Sequence, residues 1–246
     1  PFTLGEISHT KPKSSDDKLI NQLIERGGFP EPYLTEEKRD SLRWRQQYID
    51  GLIRNDILDF EKINDFKAIQ LVLRLLRERV SSQISYSSLA RDVEVSSATI
   101  KKYINIFESL FIIFKVTPYS KNISRSILKE PKIYFYDTGL VKGDEGAIFE
   151  NFMALELLAK QKRLKDIEGV DAELNYLRTK EGKEVDFCLV ENEEIKSIIE
   201  VKVSDKKISK SLMYFSEKYN LDAIQVVKNL QSEFDRGGVK VRKMIK

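Results

Sequence analysis

Apolar residues recur along this chain in two rhythms. Before about residue 110 they fall at helical spacing, and beyond it they gather into short runs typical of strands. Residues 1–17 have weak periodicity and read as a connecting segment. Lys18 to Arg26 reads as a short amphipathic helix with Leu19, Leu23 and Ile24 on one face. Gly27-Gly28 stops it, and Phe29-Pro30-Glu31-Pro32 reads as a turn. Residues 36–59 place Leu42, Trp44, Tyr48, Ile49, Leu52, Ile53 and Ile57 at near-helical spacing. A further helix fits Phe66 to Arg79, with Ile69, Leu71, Val72, Leu75 and Leu76 as its stripe.

A different pattern follows. Ser85–Val93 and Ser97–Leu110 read as two helices around the turn Glu94-Val95-Ser96, with Ser96 as N-cap. Ala98, Ile100, Tyr103, Ile104 and Phe107 would face inward from the second helix. This is a helix-turn-helix pattern. The strand-like run Leu110–Val116, a polar and basic stretch at 118–130 and a second strand at Lys132–Tyr136 complete a winged helix over residues 66–137. Glycines from Gly139 to Gly146 mark a boundary, so the chain divides into a helical segment at 1–65, a winged helix at 66–140 and a last domain at 141–246. In that domain a helix at 147–163 precedes strands at 173–179, 184–190 and 196–203, a helix at 209–219, and strands at 222–228 and 239–243. Helix, three strands, helix, strand is the order of an α/β domain with a mixed sheet.

Composition narrows the chemistry. With one cysteine, Cys188, and one histidine, His9, an internal disulfide is impossible, a structural zinc site is nearly excluded, and a histidine-based catalytic triad would depend on His9 alone. What remains is carboxylates, lysines and hard cations such as Mg²⁺ or Mn²⁺. The net charge of +3 neither demands nor excludes nucleic acid, so a DNA-binding surface would have to be a local patch. No apolar run reaches the roughly 18 residues of a membrane span, and no signal peptide is visible, so the expectation is a soluble cytoplasmic protein. The chain opens on Pro-Phe-Thr, as a fragment or a processed chain would.

Two strands carry the candidate chemistry. Asp186 lies in Val185-Asp186-Phe187, and Glu200 and Lys202 lie in Ile198-Ile199-Glu200-Val201-Lys202-Val203. Strand alternation sends Glu200 and Lys202 to one face and Ile199, Val201 and Val203 to the other. If the strands pair, Asp186 can sit beside Glu200. Two carboxylates on adjacent strands suit Mg²⁺ or Mn²⁺, and an ammonium two residues away can stabilise charge on a phosphodiester in transition. Glu150, on the preceding helix, could add a ligand directly or through water. A Glu-x-Lys strand is also what an ordinary solvated face produces, but Asp is disfavoured in strands, and here the acidic positions are flanked by apolar residues.

The combination of Glu150, Val185-Asp186-Phe187 and Ile199-Glu200-Val201-Lys202 resembles the PD-(D/E)XK nuclease signature, in the helix-Glu variant of Holliday junction resolvases and restriction endonucleases. More widely, the chain resembles the C-terminal half of a family of archaeal and bacterial AAA-type ATPases with a nuclease-like C-terminal domain. The segments that carry this likeness are Pro1–Glu6, Gly27–Pro32, Tyr134–Leu140, Gly146–Phe152 and Tyr176 through Lys202. The resemblance implies a restriction-endonuclease-like α/β fold, catalytic Glu150, Asp186, Glu200 and Lys202, and metal ligation by Asp186, Glu200 and Glu150. It also implies a P-loop ATPase core preceding Pro1. This chain has no G-x-x-x-x-G-K-[ST] motif, so ATP would belong only to the intact protein.

For DNA, the outward positions of the second helix-turn-helix helix are Ser97, Thr99, Lys101, Lys102 and Asn105, and the wing adds Lys121, Asn122, Arg125 and Lys129. Lys206, Lys207 and Lys210 either extend a phosphate-binding surface or simply face solvent. Arg54-Asn55-Asp56 marks either an inter-domain contact or a solvated helix face. Trp44 and the tyrosines read as core, and His9 as surface. The leading expectation is a DNA-binding, Mg²⁺-dependent nuclease module partnered by its own ATPase domain. The alternative is a catalytically silent nuclease fold that binds nucleic acid or a partner protein and regulates the ATPase. Homo-oligomerisation stays open, since no interface can be read.

Overall fold

The computed structural model describes residues 1–10, 16–52, 65–120, 130–204 and 207–244. The fold is of the mixed α/β class that the element order implies. It divides into two compact units, Pro1–Lys115 with Lys132–Gly143, and Val116–Pro131 with Asp144–Lys246. No helix among the described residues is long and apolar enough to cross a membrane.

The first unit is mainly helical: α1 (Leu4–Thr10), α2 (Asp16–Arg26), α3 (Pro30–Leu34), α4 (Lys38–Gly51), α5 (Phe66–Glu78), α6 (Tyr86–Val93) and α7 (Ser97–Ser109). Two of these were not expected. Residues 1–10 are no mere connector: Thr3 Oγ1 accepts from the Glu6 amide and Glu6 Oε2 accepts from the Thr3 amide at 2.8 Å, a reciprocal cap that starts α1. His9 therefore lies on a helix. The proline-rich segment is helix α3, because a proline in the first turn lacks only an amide that would have no partner there.

The two helices expected on either side of residues 94–96 are present. Glu94 takes a left-handed conformation (φ 60°) to end α6, and the Ser96 hydroxyl accepts from the Thr99 amide at 3.0 Å to start α7. Ile100, Tyr103, Ile104 and Phe107 are buried, with Ile106 in place of the exposed Ala98. Helix α7 ends in a paired cap: the Phe111 amide bonds to Glu108 and the Ile112 amide to Phe107. That cap takes up residues 110–112, so strand β1 starts later than expected, at Ile113, and runs to Pro118. Strand β2 (Lys132–Phe135) and a 3₁₀ turn at Thr138–Leu140 follow.

Among the described residues of this unit one ion pair is almost wholly buried. Arg45 Nε is 2.7 Å from Asp137 Oδ2, with both side chains almost wholly buried. Asp137 Oδ1 accepts from the Gly139 amide at 2.9 Å, and Arg45 Nη2 donates to the Glu25 carbonyl at 3.2 Å. Burial raises the Asp137 carboxyl, and Arg45 and the Gly139 amide oppose it. A Cβ at Gly27 would overlap the Asp137 carboxylate, and one at Gly139 would overlap the Arg45 guanidinium.

The second unit is a mixed sheet in the order β1-β3-β4-β5-β6-β8-β7, with β3 (Ala172–Arg178), β4 (Glu184–Glu191), β5 (Glu194–Lys202), β6 (Ala223–Val227), β7 (Phe234–Arg236) and β8 (Val239–Arg242). The end of β1 runs parallel to β3, pairing Thr117 with Asn175, and the other neighbour of β1 in the sheet is β2. Helix α8 (Glu145–Glu168) outruns its apolar pattern at both ends, because the Asp144 carboxylate caps its start and Gly169 (φ 69°) caps its finish. Helix α9 (Lys210–Tyr219) links the parallel strands β5 and β6. Its Leu212 and Phe215 are buried among Val185, Cys188, Val190, Ile198, Ala223 and Val239, each such side chain contributing about 1.5–3 kcal/mol. Strand β7 escapes the sequence pattern because it has three residues. Gly237-Gly238, both at positive φ, turn it into β8.

Candidate functional site

Strands β4 and β5 run antiparallel, with Phe187 opposite Ile199. Continuing that register by one residue sets Asp186 beside Glu200. The ladder gives way to a side chain there: Asp186 Oδ2 accepts from the Val201 amide at 2.9 Å. Glu200 is only 6% exposed, unusual for a carboxylate. Its Oε1 lies 2.8 Å from Lys202 Nζ, as strand alternation requires of residues two apart. Its Oε2 is buried and has no hydrogen-bond partner among the described residues.

The electrostatics follow from this placement. Burial and the nearby Asp186 charge raise the Glu200 carboxyl, while the bonds from Lys202 and Ser209 pull it down. For Lys202 burial acts to lower the ammonium, but the Glu200 bond and the charges of Glu200, Asp186 and Glu150 outweigh it, and the net shift is upward. Glu150, half-buried on α8, is thus within electrostatic reach of Lys202. Three carboxylates around one ammonium leave the site net negative.

The three carboxylates are not drawn together as a ligand group, however. Among the described residues no three Asp, Glu, His or Cys side chains are so gathered. Glu200 turns one oxygen to Lys202, and Asp186 turns one to the β5 backbone. Asp186, Glu200 and Lys202 are tied together by charge and hydrogen bonds, and Glu150 acts on Lys202 through its charge.

Two residues of this site were not singled out from the sequence. Ser209 caps α9 and also bonds Glu200. Gln225, fully buried on β6 in register with Glu200, accepts from the Ser209 amide at 2.9 Å and donates to the Lys207 carbonyl at 3.0 Å. The available signal was a lone amide inside Ala223-Ile224-Gln225-Val226-Val227, since a buried polar side chain must be bonded to something.

Along α7, Ala98, Lys101, Lys102, Asn105, Ile106 and Ser109 line an open groove. Ser97 is exposed, and Thr99 is half-buried with its hydroxyl 2.9 Å from that of Ser96. Asn105 accepts from Lys115 Nζ at 3.1 Å, and Lys115 also pairs with Glu108 at 2.6 Å, so Asn105 is held by the start of β1. Lys121, Asn122, Arg125 and Lys129 lie outside the described residues, as do Arg54-Asn55-Asp56 and Lys206.

Comparison with known proteins divides the chain near residue 144, where one boundary between the compact units also falls. A domain of unknown function, DUF8612, matches residues 17–143, more than half of the chain. The chain belongs to the DUF8612 family. Past that segment a second domain of unknown function, DUF4143, matches residues 145–242. The DUF8612 segment carries the Arg45–Asp137 pair and the α7 groove, and the DUF4143 segment carries Glu150, Asp186, Glu200 and Lys202. An uncharacterized protein of Haemophilus influenzae is 25% identical over 250 residues, covering 92% of this chain and 62% of its own length. One from Methanocaldococcus jannaschii is 26% identical over 225 residues, covering 84% and 50%. One from Mycobacterium tuberculosis is 25% identical over 138 residues, covering 56% and 31%. The chain thus spans between about a third and three-fifths of the length of these curated relatives. No solved structure matches it.

Proposed function

We propose that this chain is the DNA-handling part of a longer P-loop ATPase, and that its DUF4143 segment is a metal-dependent nuclease domain of the PD-(D/E)XK kind. The observation that carries this reading is the Glu200 carboxylate, buried beside Asp186 with one oxygen unbonded. An orphaned buried carboxylate oxygen costs stability, and a divalent cation would compensate it. The donor set, two carboxylates from adjacent strands in a net negative pocket, fits a hard cation of the Mg²⁺ or Mn²⁺ class. Asp186 and Glu200 would hold it, with Glu150 acting through solvent. Such an ion polarises a phosphodiester and makes a bound water more acidic. Lys202, its ammonium kept protonated by the surrounding carboxylates, would neutralise charge on a phosphate oxygen. Ser209 and Gln225 would hold Glu200 in place while a substrate binds. The α7 groove with Lys101 and Lys102 would bind duplex backbone, Ser97, Thr99 and Asn105 adding polar contacts.

One observation favours a second reading. The carboxylates are not gathered as a three-ligand group, and Lys202 occupies one Glu200 oxygen. In that reading the domain grips nucleic acid or a partner protein without cutting, and regulates the ATPase. Incubation of labelled linear, single-stranded and branched DNA with Mg²⁺ or Mn²⁺ separates the two. The nuclease reading expects metal-dependent cutting that disappears in Asp186→Ala. Binding without cutting, unchanged by that substitution, supports the silent module.

A further inference from the structure

A second surface of the DUF4143 segment has a use that the carboxylate site does not supply. Lys210, Tyr214 and Lys218 fall four residues apart on α9, so they form one stripe about 12 Å long. The turn between β3 and β4 brings Lys183 to this stripe, with Nζ 3.6 Å from the centre of the Tyr214 ring. Lys218 Nζ donates to the Tyr214 hydroxyl at 2.8 Å and lies 5.3 Å from the centre of the Tyr219 ring. Tyr219 is 53% exposed yet held in place, stacked at 6.1 Å on Phe215, which is itself 4% exposed and anchored in the core. Two carboxylates border the stripe, Glu181 and Glu217, both exposed. Glu181 bonds to Thr179 and feels Lys183 and Lys218.

We propose that this ridge binds single-stranded nucleic acid. An ammonium held over a ring keeps N–H donors free for a phosphate oxygen, whereas one closed on a carboxylate must first give up that bond. Lys183, Lys210 and Lys218 thus supply phosphate contacts. The exposed ring of Tyr219, fixed from beneath by Phe215, is a stacking platform, and it can be used only where bases are unpaired. Lysines interleaved with a rigid exposed aromatic are how proteins hold a single strand without reading its sequence. The inference goes beyond the nuclease reading and does not require the domain to cut.

The test is fluorescence anisotropy with the whole chain and fluorescein-labelled dT20 or rU20, in EDTA so that the Asp186–Glu200 site plays no part. The wild type should bind one or both probes. Tyr219→Ala should weaken binding at least fivefold without changing the salt dependence, and Tyr219→Phe should restore it. Lys183→Gln with Lys218→Gln should weaken binding at least fivefold and reduce the slope of log K against log salt by about 1.4, or roughly 0.7 per lost phosphate contact. All three positions are exposed, so unchanged melting curves should accompany these losses. The proposal is overturned if the wild type binds neither probe, if both variants bind within twofold of it, or if Tyr219→Ala weakens duplex binding as much as single-strand binding. Each of these outcomes can be told apart from the loss or retention of metal-dependent cutting.

Discussion

Two of the buried charged groups among the described residues, Asp137 and Glu200, are accommodated differently. In the first unit Asp137 pairs directly with Arg45 and also feels the Arg77 charge, both Asp137 oxygens are bonded, and a Cβ at Gly27 or Gly139 would overlap the pair. In the second unit Glu200 shares the Lys202 ammonium with Asp186 and Glu150, and one of its oxygens has no hydrogen-bond partner among the described residues. A closed, neutral pair is what a structural joint requires. An open, net negative cluster costs stability, and a protein keeps such a cost where the site must receive something.

The largest expected effect would come from breaking the closed pair. Asp137→Ala should cost about 3–5 kcal/mol in urea unfolding, because Arg45 would be left buried without its partner. Exchanging both for apolar residues, Arg45→Met with Asp137→Leu, should cost clearly less than the sum of the single substitutions. Additive losses would mean that the two residues act separately, and the comparison would fail.

The open site should respond in the opposite direction. Glu200→Gln should stabilise the fold by about 1 kcal/mol near neutral pH, since it removes an incompletely compensated buried charge. The sign of the pH dependence follows from the upward shift of the Glu200 carboxyl. The native state holds this proton more tightly than the unfolded chain, so the wild type's stability is greatest below the ordinary glutamate range and falls as pH rises through the folded value. The advantage of Gln should therefore grow from acidic to neutral pH, and thermal unfolding of the two proteins across that range would reveal it. A constant difference would mean that Glu200 is not titrating as its surroundings require.

A smaller effect is expected where the first unit departs from its own economy. Phe111 occupies the left-handed position of the α7 cap (φ 54°), which favours glycine, and it is 59% exposed. Phe111→Gly should stabilise by up to about 1 kcal/mol, less whatever is lost in the edge contact with Tyr136 at 5.7 Å. A clear loss of stability would show that the ring contact outweighs the backbone strain.

Much of this was legible in advance because periodicity survives folding. Helices α5 to α7 and strands β3 to β6 follow their apolar stripes, and the adjacency of Asp186 and Glu200 follows from alternation and pairing alone. Where the sequence was misread, the signal was local and polar. Helix α1 announces itself only through the Thr3 and Glu6 cap, and α3 hides behind prolines that a first turn tolerates. Ser209 and Gln225 escaped notice because their value lies in bonds made across the sheet, which no spacing rule contains. The placement of Glu150 near Lys202 is likewise a tertiary fact, set by how α8 lies on β3 and β5.

The account rests on Glu200 and Asp186 being held open for a divalent cation, and calorimetric titration of the metal-free chain with Mn²⁺ tests this most directly. The wild type should bind at one site and melt at a higher temperature when loaded, and Glu200→Gln should weaken binding at least tenfold and lose the melting shift. Absence of binding to the wild type, or equal binding to both proteins, would contradict it.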